Sequence, residues 1–348
     1  MQSQTKKEVM RNYIFSEEKK LKSKLGGEVE IISLFDSQLR ELAVVRDPKI
    51  KGNDLKIEKA VSDLRNLEGI ESRFVYYPWR ESAFEILPET EYISVRTNRN
   101  QLKIKADEQK VLIKKKIAVA GLSVGNAVAL TCAMERICGA MHLADFDEME
   151  LSNLNRLRAG LPDCGLQKTE IAKRQIAELD PYIDVSVFNE GVTAENVNEF
   201  LDESVDVLVE VCDSVELKFL LRQRAAELHI PVVMDTNDRG MIDIERFDLE
   251  PDRPLFHGAV KGIETSPKAL SNPENKMKVV QAIIGNELSP RLLQSMPEIG
   301  KTLCSWPQLA SGVMLGGAAT AHVCRRILLE EECPSGRFFV DLADIIKI

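Results

Sequence analysis

The chain has 348 residues, of which 44% are hydrophobic and 29% are charged, and its formal net charge is −9. This composition is typical of a globular protein in water, with room for about two domains of ~150 residues each. An acidic chain does not offer the extended positive surface that binds polyanions. Nucleic acid is therefore not expected as a main partner.

The sequence shows no targeting signal and no membrane span. Its start, MQSQTKKEVMRNYIF, lacks a continuous apolar core and a cleavage site with small residues. Two stretches without acidic or basic residues, 117–134 and 305–324, are only marginally long enough for a span and are predicted to be buried core. The seven cysteines include no C-x-x-C pair, so we expect reduced thiols, a cytoplasmic protein and no zinc site.

Residues 1–93 are predicted to form a small α/β domain of unknown role. A charged helical start at 16–24, an apolar run at 29–35 and helical spacing at 57–67 precede the aromatic stretch RFVYYPW at 73–79. These aromatic side chains either pack in the core of the domain or form a substrate-recognition surface. Nothing in this part of the sequence names a ligand.

Residues 94–348 are predicted to form an α/β domain with a doubly wound, mostly parallel, Rossmann-like sheet. Short β-rich runs alternate here with helices of about 10–15 residues, which is the pattern of parallel sheets. The predicted strands are 115–120, 141–147, 184–188, 206–212 and 231–235, and the predicted helices are 125–137, 168–179 and 215–228. Residues 261–300 are rich in Pro, Asn, Ser and Lys and predict a long loop with one short helix.

A glycine turn joins the first of these strands to its helix. Such a junction presents free backbone N–H groups and a helix dipole to a phosphate, although glycines also occur in turns for packing alone. Gly121, Ser123 and Gly125 are suited to this turn, but Leu122 stands where a dinucleotide fingerprint has glycine. A leucine Cβ beside the phosphates would weaken nucleotide binding unless the side chain points away.

Polar side chains follow the next strand at its carboxyl end, where ligands bind in sheets of this kind. Asp145 lies about 20 residues after the turn, at the spacing that lets an acidic residue accept hydrogen bonds from a ribose. The segment DFDEMELSNLNRL then brings together polar side chains that are poor core material: Asp147, Ser152, Asn153, Asn155 and Arg156. Its amide and guanidinium groups suit the phosphates of a nucleotide.

Two further residues have both a structural and a functional interpretation. Lys168 begins a predicted helix and is either a solvated lysine at a helix start or a phosphate ligand. Asp213 follows the strand DVLVEVC and is either the N-cap of the next helix or a ligand of Mg²⁺.

Together these motifs resemble the ThiF-like adenylating family, which includes the ubiquitin-activating enzymes and bacterial enzymes of thiamine and molybdopterin synthesis. The resemblance covers about residues 96–329 and is most specific in the string D-F-D-x-x-x-x-S-N-L-N-R at 145–156. RTNR at 96–99 is similar to the R-Y-N-R element of the family, and the segment 311–329 looks like its last core helix. The glycine turn departs from the family's G-x-G-G-x-G.

The resemblance implies ATP-dependent adenylation of a carboxylate, such as the carboxyl terminus of a ubiquitin-like or sulfur-carrier protein or of a peptide. It implies that Asp145 holds the ribose and that Asp213 holds Mg²⁺. It further implies that Asn153, Arg156 and Lys168 contact the phosphates, beside Asp147 and the glycine turn. Such a reaction needs positioned cations around the triphosphate and no protein nucleophile.

Two more candidates come from the same resemblance. Arg99 would reach the triphosphate in the site of a partner subunit, which implies a homodimer. Some relatives pass the acyl group to a cysteine, and Cys304 is the candidate here. Because no activating base is visible in the sequence around it, Cys304 is alternatively an incidental thiol.

Three functions therefore remain open. The first is an enzyme that adenylates the carboxyl terminus of a carrier protein or peptide. The second is a tRNA-modifying dehydratase of the same fold, against which the acidic charge argues. The third is a non-catalytic scaffold with or without a nucleotide. An NAD-dependent oxidoreductase fits less well, because it has no use for the Asn, Arg and Lys side chains that follow residue 147.

Overall fold

The computed structural model describes residues 13–26, 29–66, 69–285 and 287–346. The chain forms two compact units, one of Met1–Gln109 with Asp180–Asp184 and one of Lys110–Leu179 with Val185–Ile348. The predicted division into domains at residue 93 stays a prediction. The first twelve residues, where no signal is expected, and residue 67, at the end of a predicted helical pattern, lie outside the described residues.

The first unit contains a four-stranded sheet in the order β1-β3-β4-β2. Strand β3 pairs antiparallel with β1 and β4, whereas β2 pairs parallel with β4. The strands are β1 (Ile14–Phe15), β2 (Glu30–Ser33), β3 (Arg73–Tyr77) and β4 (Ser82–Ile86). The helices that begin in this unit are α1 (Glu18–Leu25), α2 (Phe35–Arg46), α3 (Asp54–Asn66), α4 (Glu89–Arg96) and α5 (Ala106–Leu112).

Apolar residues at helical spacing in α2 and α3 build the core of this unit. Leu39 and Leu42 of α2 and Ile57 of α3 are buried in one cluster, because residues three or four apart share a helix face. In the aromatic stretch, Phe74 and Tyr77 are also buried. The core interpretation is thus confirmed for Phe74 and Tyr77, whereas Tyr76 and Trp79 are half-buried.

The second unit contains a seven-stranded sheet in the order β11-β10-β9-β8-β5-β6-β7. Strand β5 pairs parallel with β6 and β8, and β8 pairs parallel with β9. At the far edge, β10 pairs antiparallel with β9 and β11, so the sheet is mostly parallel, as predicted. The strands are β5 (Lys116–Ala120), β6 (Ala140–Ala144), β7 (Asp184–Phe188), β8 (Val207–Glu210), β9 (Val232–Asp235), β10 (Met241–Glu245) and β11 (Gly336–Phe339).

The helices of this unit confirm the predicted alternation of strands and helices. They are α6 (Gly125–Glu135), α7 (Lys168–Leu179), α8 (Val197–Phe200), α9 (Val215–Glu227), α10 (Pro267–Leu270), α11 (Pro273–Ile284), α12 (Pro290–Ser295), α13 (Ala310–Leu328) and α14 (Leu342–Ile345). Strands β6 and β8 end before their predicted ends at 147 and 212, because the chain turns there into the segments that carry the polar residues.

One prediction about the loops is wrong. Residues 261–300 contain three helices rather than a long loop with one short helix. Asn272 caps α11 by accepting hydrogen bonds from the backbone N–H groups of Glu274 and Asn275, and Pro273 occupies the first helical position. Asn and Pro, which we interpreted as loop residues, are here the start signals of a helix that buries Val279 and Ile283.

The two stretches without charges lie in the second unit. Residues 117–134 form β5, the glycine turn and α6, and most of these residues are buried, which confirms the core interpretation. In the stretch 305–324, helix α13 contributes Val313, Ala321 and Cys324 to the core. Residues 305–307 and 309–311 are exposed, so the core prediction is wrong for the start of this stretch, which precedes the buried face of the helix. Of the helices in the described ranges, none combines the length and the apolar character that a bilayer span would require.

Candidate functional site

Most of the predicted site residues of the second unit lie where the strand order of the parallel sheet reverses. From β5 the chain continues to β6 on one side, whereas β8 lies on the other side of β5. A crevice forms at the carboxyl ends of the strands at such a point. Three segments meet there: the turn after β5, the segment after β6 and the end of β8.

Glycine is required at two positions of the turn, and the structural reason differs between them. Gly121 has φ +93°, and a Cβ there would lie 2.6 Å from the carbonyl oxygen of Val211, just beyond β8. A Cβ on Gly125 would lie 2.7 Å from Cγ1 of Val119 in β5. Gly121 thus lets the turn lie against the end of β8, and Gly125 lets α6 pack on its strand.

Leu122 does not obstruct the crevice. Its side chain is 0% exposed, so it packs inside the unit. Its backbone N–H donates to Oδ2 of Asp145 at 2.6 Å. The leucine therefore points away from the ligand side of the turn, which is the favourable alternative that the sequence left open.

Asp145 ties the glycine turn to the segment after β6. Its Oδ1 accepts the backbone N–H of Asp147 at 2.8 Å, while Oδ2 holds Leu122. Burial raises the pKa of Asp145, although these two N–H groups and the charge of Lys168 act against that shift. Each carboxylate oxygen retains capacity for a further donor such as a ribose hydroxyl.

Arg156 lies across the turn and has unused hydrogen-bonding capacity. Its Nη2 donates to Oγ of Ser123 at 3.0 Å, and its Nη1 donates to Oδ1 of Asn155 at 2.9 Å. Its Nε is buried and has no hydrogen-bond partner in the described structure. Burial lowers the pKa of Arg156, and the negative charge of Asp213 counteracts this shift.

Lys168 is buried, so the interpretation as a solvated lysine is wrong. Its side chain is 5% exposed, and Nζ lies 2.7 Å from Oδ2 of Asp147, which is itself 51% exposed. The backbone N–H of Lys168 also donates to the carbonyl oxygen of Asp147 at 3.0 Å. The first residue of α7 thus holds a cation beside the segment that follows β6.

Asn153 and Asn155 shape that segment. The buried Asn153 accepts the backbone N–H of Glu150 on Oδ1 at 3.1 Å, which stabilises the 3-10 turn Leu151–Asn155. Asn155 donates from Nδ2 to the carbonyl oxygen of Gln308 at 2.9 Å, just before α13. The sequence did not indicate Gln308, because no local pattern connects residues 153 positions apart.

Asp213 is not the N-cap of α9. The cap is Ser214, whose side chain accepts the backbone N–H of Leu217 at 3.3 Å. Asp213 itself is exposed, and its charge acts on Arg156. Within the described ranges, no three His, Cys, Asp or Glu side chains converge on a point that could hold a metal ion.

Two further candidates, Arg99 and Cys304, have exposed side chains. Arg99 has an exposed side chain in the 3-10 turn Asn98–Asn100 of the first unit. Cys304 is an exposed free thiol, and no hydrogen bond to its Sγ is found among the described residues. Cys212 donates its S–H to Oε1 of Glu210. Burial is the main cause that raises the pKa of this thiol, and the negative charge of Glu210 raises it further. Cys212 therefore stays a protonated thiol.

Known proteins similar to this chain agree with the fold and the motifs. An uncharacterized protein of Mycobacterium tuberculosis, MT1398, is 42% identical over 330 residues, which are 91% of this chain but only 46% of that protein. The tRNA threonylcarbamoyladenosine dehydratase of Bacillus subtilis is 27% identical over 250 residues, 68% of this chain and 95% of that enzyme. The molybdopterin-synthase adenylyltransferase of Haemophilus influenzae is 26% identical over 206 residues, 57% of this chain and 81% of that enzyme.

Among solved structures, the E. coli tRNA N6-threonylcarbamoyladenosine dehydratase in complex with ATP has a similar fold. The TM-score is 0.51 at 18% identity, over 70% of this chain and 98% of that one. The model of the ThiF family matches residues 97–318, which include the glycine turn, the segment after β6, Lys168 and Asp213. Because this match covers more than half of the sequence, the chain belongs to the ThiF family.

Proposed function

We propose that this protein binds ATP at the carboxyl ends of β5, β6 and β8 and uses it to adenylate a carboxylate. The observation that carries the proposal is the presence of two cations beside the glycine turn, the buried Lys168 and the half-buried Arg156. Lys168 is 5% exposed, and the buried Nε of Arg156 has no partner. A buried donor without a partner is costly, and a phosphate oxygen would satisfy it.

The other side chains have matching roles. Free backbone N–H groups at the start of α6 face a bound phosphate, and Asp145 accepts from the ribose. Asp147 holds Lys168 in place at 2.7 Å. A carboxylate oxygen of the substrate forms a bond to the α-phosphorus as the bond to the pyrophosphate leaving group breaks, and the two cations stabilise the charge that develops there. Asp213 is the candidate ligand of Mg²⁺, which proteins often bind through one or two carboxylates together with substrate phosphates.

The carboxylate belongs, in this proposal, to the carboxyl terminus of a ubiquitin-like or sulfur-carrier protein or of a peptide. Family membership and an adenylyltransferase among the relatives support this class. The chain spans less than half of the length of MT1398, so the activity of that whole protein is a separate question. Adenylation itself is assigned to residues 94–348. Free cysteines are compatible with a cytoplasmic location.

The direct test is ATP–pyrophosphate exchange with candidate carrier proteins. We expect exchange that depends on a free carboxyl terminus of the carrier, and calorimetric binding of ATP with magnesium that is tighter than binding of NAD. ATP binding without exchange for any carrier would favour the scaffold. Tighter binding of NAD than of ATP would contradict the proposal.

The proposed homodimer has its own test. If Arg99 completes the neighbouring site, a mixed dimer of Arg99→Ala and Lys168→Ala chains contains one intact site. We expect this mixture to recover part of the exchange activity that each variant lacks alone. No recovery in a verified mixed dimer would exclude the trans arrangement.

The role of Cys304 is tested by Cys304→Ala. Adenylation requires no thiol, so this variant should keep exchange within about tenfold of the unmodified chain, roughly 1.4 kcal/mol in the barrier. If exchange persists but acyl transfer to the protein disappears, Cys304 is the acceptor thiol of a thioester-forming enzyme.

A second candidate function is that of a tRNA-modifying dehydratase. The observation in its favour is the relative from Bacillus subtilis, of which this chain covers 95%. The net charge of −9 argues against tRNA as a substrate. Retention of tRNA on a filter at ~150 mM salt, with ATP consumption that requires the tRNA, would favour the dehydratase over the carrier-protein enzyme.

A further inference from the structure

One glutamine side chain connects three elements of the site. Gln175 lies in α7, seven residues after Lys168, so both residues lie near the same face of the helix. Its Oε1 accepts a hydrogen bond from Nδ2 of Asn126 in α6 at 3.1 Å. Its Nε2 donates to the backbone carbonyl oxygen of Arg158, two residues beyond Arg156.

The Asn126 end of this bridge is buried, whereas the Arg158 end is exposed. Asn126 is 2% exposed, at the second position of α6 and directly after the glycine turn. Because its amide is buried, loss of its partner would leave a polar group without a hydrogen bond. On the other side, Nε of Arg158 lies 3.1 Å from Sδ of Met314 in α13, which packs against Val124 and Ala127. The glutamine thus belongs to a closed ring of contacts through α6, α7, the Arg158 segment and α13.

We propose that Gln175 is a positioning residue for the nucleotide site, an inference that rests on the proposed function. Local contacts orient each cation: Ser123 contacts Arg156, and Asp147 contacts Lys168. The Gln175 amide sets the spacing between the backbones that carry these cations and the glycine turn. A displacement of about 1 Å at such groups is enough to weaken their action on a triphosphate strongly.

The test is Gln175→Met, which keeps the length of the side chain and removes both hydrogen bonds. We expect the affinity for ATP with magnesium, measured by calorimetry, to fall about tenfold. The affinity for adenosine, measured by competition against ATP, should change less than about twofold, since adenosine has no phosphates for the cations to contact. The matched control is Gln281→Met on the exposed face of α11, which should bind both molecules as the unmodified chain does.

A double-mutant cycle separates positioning from general stability. In a Lys168→Ala background, Gln175→Met should cost clearly less ATP affinity than it does alone, because its effect acts partly through Lys168. If Gln175→Met does not fold, Asn126→Ser removes one of the two hydrogen bonds and should show a smaller but still triphosphate-specific loss. Thermal unfolding of each variant verifies that the fold is intact.

The outcomes distinguish the two proposals. Equal losses of ATP and adenosine affinity, or additive effects with Lys168→Ala, would overturn the positioning role and leave only a structural one. Unchanged ATP affinity in a folded Gln175→Met chain would overturn it as well. If the unmodified chain binds no ATP, the proposed function fails first, and the positioning inference fails with it.

Discussion

Two groups of charged side chains lie near strand ends in the second unit, one fully buried around Arg222 and one half-buried around Arg156, and they differ in how completely they are paired. Around Arg222, which is 0% exposed, Glu245 lies 2.6 Å from Nε, and Glu210 binds both Arg222 and Lys218. Around Arg156, by contrast, Nε has no partner and the nearby Asp213 is exposed. The first group is closed, and the second has donors and acceptors to spare.

This difference separates a structural network from a ligand site. Burial alone would raise the pKa of Glu210, but Lys218 and Arg222 outweigh it and hold that pKa at about 2. Such a carboxylate stays ionised and is fully occupied by its partners. A buried charge is thus weak evidence for function, whereas unused hydrogen-bonding capacity beside a backbone turn is stronger evidence.

The largest effect on stability should come from the closed network. Arg222→Met leaves Glu210 and Glu245 buried without their shared cation, so the free energy of unfolding should fall by about 3–5 kcal/mol. Arg156→Met should cost less than about 1 kcal/mol, since Arg156 is only half-buried and water reaches the nearby Asp213. Urea unfolding followed by circular dichroism measures both. Equal losses would remove the distinction between the two groups.

Lys168→Ala should have the opposite result, a large loss of activity with little change in stability. A preorganised donor to developing charge is worth about 3–4 kcal/mol, so pyrophosphate exchange should fall roughly 10²–10³-fold. Stability should change little, because Asp147 is half exposed and water can replace the lysine. The matched control is Lys218→Ala in the closed network, which should lose stability and retain exchange. A reversal of these two results would contradict our assignment of the site.

A substitution at Leu122 tests on which side of the turn the leucine side chain lies. Leu122→Ala removes fully buried methyl groups, so the free energy of unfolding should fall by about 3 kcal/mol. Affinity for ATP should stay within about twofold, since the leucine does not face the phosphates. The exposed Leu151→Ala is the control and should change stability by less than about 0.5 kcal/mol. A large gain in ATP affinity for Leu122→Ala would show that the leucine obstructs the site.

Asp235 at the end of β9 is a buried carboxyl group whose incomplete hydrogen bonding can be tested through the pH dependence of stability, with a smaller expected effect. Burial raises its pKa to about 6, above its usual 3.8, and its Oδ2 has no hydrogen-bond partner in the described structure. A raised carboxyl pKa means that ionisation destabilises the fold, beginning as the pH rises past 3.8 and complete above about 6.

The substitution Asp235→Asn removes this ionisation. The stability of the variant relative to the unmodified chain should therefore improve by up to about 3 kcal/mol between pH 4 and pH 7. Urea unfolding at several pH values measures this difference, and comparing two pH values cancels any constant cost of the new amide. A difference that does not vary with pH would show that Asp235 does not titrate in this range.

The sequence predicted much of the second unit because its signals are local. Helix α7 begins and ends where expected at Lys168 and Leu179, and the runs of strand residues in β5, β7 and β8 were visible without the fold. The family resemblance was most specific in one short string at 145–156, and the family match includes that string. Local hydrophobic period and contiguous motifs need no knowledge of distant contacts.

Where the sequence left alternatives or erred, the missing information was about contacts between distant residues. The solvation of Lys168 depends on how α7 packs, and the direction of Leu122 depends on the core beneath the turn. The N-cap of α9 moved from Asp213 to Ser214, because only one of two adjacent polar residues can face the first free N–H groups.

What the sequence determined by itself is the alternation of strands and helices and the polar segments that follow the strands. Only the tertiary structure decided which of those polar groups are fully paired and which retain capacity for a ligand. The reason is that pairing depends on atoms brought together from segments far apart, as when Asn155 donates to Gln308 and Arg222 binds Glu245. Which acceptor a donor contacts depends on which atoms the fold brings close in space, and the neighbouring residues in the sequence do not specify it.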